Sequence, residues 1–92
     1  MTGPAVGGAV AALVRLDTAL DAREFATTLV IGDGCRPCLT VASRWTTAAE
    51  HPFADGERFW WAWGQPVCTV EDPLTAAYRV TAMLRATPGA PQ

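Results

Sequence analysis

Lysine is absent from this chain. All seven cationic side chains are arginine. A Schiff-base lysine and the lysine of a phosphate-binding P-loop are therefore excluded. Charge of any kind is scarce: 17% of the residues are charged and the formal net charge is −2. With a pI near 5.1, the chain offers no basic footprint for nucleic acid or for an anionic membrane surface. No long apolar run is present either. The stretch from Ala5 to Val14 lacks a basic region before it, and Arg15 and Asp17 interrupt it well short of the roughly 20 residues that a membrane span needs. A cytoplasmic location is the resulting expectation.

Histidine occurs once, at His51, and cysteine three times. An odd cysteine count with no signal peptide argues against a secreted disulfide framework. There is no G-x-S-x-G around a serine, so no nucleophile elbow to join His51 in a triad. There is no G-x-G-x-x-G after a strand, and so no glycine cradle for phosphate. Asp33 and Asp55 fall in turn signals and Asp72 at a helix cap. Each has a structural role there, and no acid/base pair is left over. No cofactor is expected.

What the chain does have is apolar and aromatic. Half of its 92 residues are hydrophobic, enough for a folded domain with a modest core. Three of the four tryptophans lie in Glu57-Arg58-Phe59-Trp60-Trp61-Ala62-Trp63-Gly64. Aromatic residues favour pleated, half-buried surfaces, so this run reads as a central β-strand. Its period of two puts Phe59, Trp61 and Trp63 on one face, and Arg58, Trp60, Ala62 and Gly64 on the other.

The rest of the chain is arranged around that strand. Ala9, Ala12, Leu13, Leu16, Ala19 and Leu20 form an apolar stripe, predicting a helix from about Ala9 to Arg23. Thr27–Ile31 and Cys38–Ala42 read as strands joined through the turn signal Gly32-Asp33-Gly34. Ser43–His51 is compatible with strand, loop or a helical turn, Pro52 ends it, and Ala54-Asp55-Gly56 is a turn. Val67–Val70 follows Pro66 and is expected at a sheet edge, because proline cannot donate to a ladder. Asp72-Pro73 opens a second helix. Its expected buried stripe is Leu74, Ala77, Val80, Thr81 and Leu84. Thr87-Pro88-Gly89 stops it. The fold class predicted is α+β: an N-terminal helix, an antiparallel meander of four or five strands and a C-terminal helix, with both helices on one sheet face. A single domain over residues 1–92 is expected, with 1–4 and 88–92 as loose tails.

Cys35-Arg36-Pro37-Cys38 is the one motif with chemical spacing. A C-x-x-C pair suits redox chemistry or half a zinc site, which Cys68 and His51 could complete. The run after it is β-type rather than helical, and no second close pair exists, so the preferred reading is a hairpin loop with Cys38 packed inward. Trp60 reads as core. Phe59, Trp61 and Trp63 read either as core or as a contact surface, because helices on one face leave the other bare.

Taken together, Pro37-Cys38-Leu39-Thr40-Val41, the strand Phe59–Gly64 and the closing Asp72-Pro-Leu-Thr-Ala-Ala77 helix resemble a group of small actinobacterial proteins built on a tryptophan-rich strand. That resemblance implies neighbourhood to helix-turn-helix regulators and a regulatory accessory role. It carries over no catalytic residue, and Cys35 falls outside the shared pattern. The sequence reading is thus a non-enzymatic interaction or regulatory module that meets a second copy of itself or a regulatory protein through Phe59, Trp61 and Trp63. The alternatives are a small-ligand-binding protein with an aromatic pocket between sheet and helices, and a thiol redox or zinc protein using Cys35, Cys38, Cys68 and His51.

Overall fold

A computed structural model describes residues 4–32 and 36–86, with side chains from Gly8 onward. Helix α1 spans Pro4–Ala19. It buries Ala9, Ala12, Leu13 and Leu16 along the expected stripe, and Leu20 is buried just past its end. It stops earlier than the sequence suggested, because Asp21 takes over the backbone: its carboxylate accepts from the Arg23 amide and its carbonyl from the Phe25 amide. That turn delivers the chain into β1, Phe25–Val30, which pairs antiparallel with β2, Cys38–Ser43. The turn signal at Asp33-Gly34, and Cys35 with it, lie outside the described residues.

The stretch that the sequence left open resolves into two short strands. Ser43 folds its hydroxyl onto the amides of Trp45 and Thr46, a local turn that competes with continued strand. The chain then returns along β2 as β3, Ala49–Glu50, breaks at His51-Pro52, and resumes as β4, Phe53–Ala54. The remaining strands are β5, Arg58–Trp60, and β6, Pro66–Thr69. The order across the sheet is β1-β2-β4-β5-β6, with β3 beside β2. Because β3 and β4 are successive pieces on the same side of β2, the sheet is an antiparallel meander of five positions. β6 lies at an edge, as Pro66 requires.

Helix α2, Pro73–Ala86, starts where Asp72 caps it. The Asp72 carboxylate accepts from the Thr75 amide and hydroxyl, which holds it below the usual carboxylate range. Its buried residues are Ala76, Ala77, Val80 and Leu84, at helical spacing. Leu74, expected in that stripe, is 73% exposed, since two residues before Ala76 is the opposite side of a helix.

Both helices pack on one sheet face, making an α+β fold around one core. Inward come Phe25, Leu39, Val41, Ala54, Phe59, Trp61 and Val67. This reverses the expected disposition of the aromatic run. Phe59 is 0% and Trp61 7% exposed, so the helices cover the Phe59 side and leave the Trp60 side bare. The run is also shorter as a strand than its composition suggested. The chain turns after Trp60: the Trp61 amide donates to the Gln65 carbonyl and the Gly64 amide to the Trp61 carbonyl. Gly64 takes φ 94°, a left-handed value that glycine adopts without strain. The alternation assumed through Trp63 therefore ends at the turn.

Candidate functional site

The bare face of the sheet is built by register. Val30 pairs with Cys38, Cys38 with Phe53, Phe53 with Trp60, and Trp60 with Pro66. Paired residues point to the same side, so one row of apolar side chains crosses all five strand positions. Phe53 and Trp60 stack at its centre, with ring centroids 6.3 Å apart and planes 11° apart. The Arg36 guanidinium lies 4.1 Å from the centre of the Phe53 ring, a cation–π contact. Beside the row, Thr40 Oγ1 and His51 Nδ1 are 3.1 Å apart.

Trp60 is held from below by the β4–β5 turn. Asp55 Oδ1 accepts from the Glu57 and Arg58 amides at 2.7 and 2.8 Å, and Oδ2 accepts from the Trp60 indole N–H at 2.9 Å. Those two amides, with the indole behind them, hold the Asp55 carboxyl below the usual carboxylate range. A carboxyl depressed on folding stabilises above its unfolded value of about 3.9, and that contribution disappears as pH falls through the folded value. Asp55→Asn should therefore lower the melting temperature near neutral pH, with the gap to the parent closing below about pH 4. Thermal melts across a pH series measure this; a gap independent of pH would show that the turn does not use the ionised form.

The residues singled out from sequence separate. Phe59 and Trp61 belong to the core. Trp63 stacks on Trp61 at 5.2 Å and 2°, and is 52% exposed. Its indole N–H donates to Gln65 Oε1 at 3.3 Å. Of the three, only Trp63 presents much of its surface. Trp60, assigned to the core, instead stands half-buried on the bare face. Phe53 and Arg36 escaped notice. Counting outward from the Asp55-Gly56 turn signal sets Phe53 opposite Arg58; the observed pairing with Trp60 follows from a loop centred on Gly56-Glu57, which the residue types do not announce.

Cys38 and Cys68 are free thiols. Cys38 shares the bare face with Phe53, whereas Cys68 pairs with Phe59 and packs against the core on the other side. Burial pushes the Cys68 thiol up, away from a reactive thiolate. Among the described residues, no three histidine, cysteine or acidic side chains are placed to share a metal ion.

Among the described residues, two hollows lie on the helix side. One of 190 Å³ is lined by Phe25, Ser43, Trp45, Leu84 and the Glu24–Arg85 ion pair. The second, 380 Å³, is a shallow groove between Val14, Thr18, Pro73 and Leu74. No described helix is long and apolar enough to cross a membrane. No protein family, curated protein or solved structure matches the chain.

Proposed function

We propose that the protein is a non-enzymatic interaction module whose bare sheet face receives an acidic segment of a partner protein carrying an apolar anchor. The observation that carries this reading is the half-buried Phe53–Trp60 stack under Arg36 on the bare face. Stacked aromatics with an adjacent arginine have the composition of binding hot spots. Charge favours an acidic partner. Arg36 and Arg58 lie on this face, while the Asp55 oxygens are engaged by two amides and an indole. The resemblance to actinobacterial proteins encoded near helix-turn-helix regulators adds a regulatory setting to the same reading.

The test is selection of binding peptides from a displayed random library, followed by nuclear magnetic resonance mapping. Selected peptides should be acidic with an aromatic or aliphatic anchor, and should shift the Trp60 indole N–H signal while leaving that of Trp63 unmoved. Trp60→Thr should weaken them by about 2 kcal/mol or more. Peptides that map to the helix side instead, or an equally tight Trp60→Thr variant, would overturn the reading.

A small-ligand reading has two hollows in its favour, but the 380 Å³ groove at Val14 and Leu74 is shallow and open to solvent, which leaves the hollow lined by Trp45. At 190 Å³ it is smaller than the about 300–1,000 Å³ of common ligand sites, so the sheet face is preferred.

A further inference from the structure

We infer that β1 pairs antiparallel with β1 of a second copy, joining two sheets into one across a two-fold axis. The two edges of the sheet are treated differently. At the β6 edge, Pro66 has no N–H to offer, and the Arg79 guanidinium occupies the Val67 carbonyl. Proline and a covering charged side chain are means by which proteins blunt an edge. Among the described residues, none of these devices is present at the β1 edge. Phe25-Ala26-Thr27-Thr28-Leu29-Val30 has no charge and no proline, and its register with β2 is unbroken.

The free groups on β1 can be assigned. The Arg44 amide donates to the Glu24 carbonyl, so residues 24, 26, 28 and 30 face β2 with their backbone groups. On β2 the amides of Leu39 and Ser43 point the other way, to Pro52 and Ala48, as this alternation demands. Thr27 and Leu29 therefore aim N–H and C=O outward. The Phe25 amide is taken by the Asp21 carbonyl, leaving its carbonyl free. With Thr28 opposite Thr28 on the axis, Thr27 of one copy exchanges both bonds with Leu29 of the other, and Ile31 donates to Phe25.

This geometry favours a second copy over a foreign strand. An antiparallel pair about a two-fold axis uses the same edge twice and closes. The alternative, β1 of one copy on β6 of the next, would propagate without end, and the blunted β6 edge blocks it. On the bare face the pairing sets Val30 beside Ala26 of the partner copy, both of them exposed here, and so lengthens the apolar row across the axis.

Thr28 is exposed on that face, so it can be changed without touching the core. In sedimentation velocity over a concentration series, the parent should dimerise. Thr28→Lys and Thr28→Asp should each raise the dissociation constant by at least about tenfold, since like charges then meet across the axis. Mixing the two variants should restore dimers. In the parent, the Thr27 and Leu29 amides should exchange hydrogen more slowly as concentration rises; this reading stands even if a variant misfolds. A parent that stays monomeric, a Thr28→Lys dimer of unchanged strength, or edge amides whose exchange ignores concentration would overturn the inference. It does not depend on the peptide-binding reading, and Trp60→Thr should leave the dimer intact.

Discussion

Phe59→Ala is expected to cost about 3–5 kcal/mol of folding stability. Phe59 is fully enclosed where β5 meets the helices, and it pairs with Ala54 on one side and Cys68 on the other. Alanine at Ala54 leaves the benzyl group to fill that part of the layer alone, so truncation removes its transfer energy and opens a cavity. A domain of this size has a total stability of about 5–15 kcal/mol, so the variant will be marginal. Trp63→Ser, four positions along, should change stability by no more than about 1 kcal/mol beyond the loss of its stack on Trp61. Denaturant melts of the two variants measure the contrast. Equal losses would mean that the aromatic run is buried along its whole length; a small loss at Phe59 would return it to the surface.

Leu16→Ala and Leu84→Ala should each destabilise by about 2–5 kcal/mol. Leu16 is completely buried and Leu84 nearly so, in the layer shared by both helices and the sheet. Leu84 also floors the hollow beneath Trp45, so its site can relax toward open space. The Leu16 site is enclosed and cannot, and Leu16→Ala should be the costlier of the two. Losses below about 1 kcal/mol at both positions would contradict the packing of the helices on the sheet.

The helices were the most legible part of the chain. Five apolar residues of α1 recur at the spacing that makes a stripe, and Asp72-Pro73 announces α2 by chemistry that is local to the cap. The strands were legible as segments, but their faces were not. Alternation says that Phe59 and Trp60 oppose each other; it does not say which of them the helices will cover. That choice depends on the other strands, where Leu39, Val41 and Ala54 line up with Phe59 only once the register is known. The bend at Gly64-Gln65-Pro66 was legible, but its start at Trp61 was hidden by the β propensity of the aromatic run. Phe53 lay at the edge of the stretch with mixed signals, so its stack with Trp60, a contact between strands, had no trace in the order of residues. Asp55 was legible as a turn residue; that its second oxygen would hold an indole was not.

The break at His51-Pro52 has a mechanical consequence. Between β2 and β4 the sheet is joined by a single paired position, Cys38 with Phe53, and by the Leu39 amide on the Pro52 carbonyl. To one side lies the long β1–β2 hairpin, with six paired positions; to the other lie β4, β5 and β6. The pairs of β2 with β3 stop at Glu50, so past the break few backbone bonds cross this seam, and α1, which touches β1, β2 and β4 alike, spans it as a splint. The sheet is thus two ribbons under one brace. Their relative twist is set by helix packing more than by the ladder, and motion of α1 would flex the Phe53–Trp60 platform against the β1 edge.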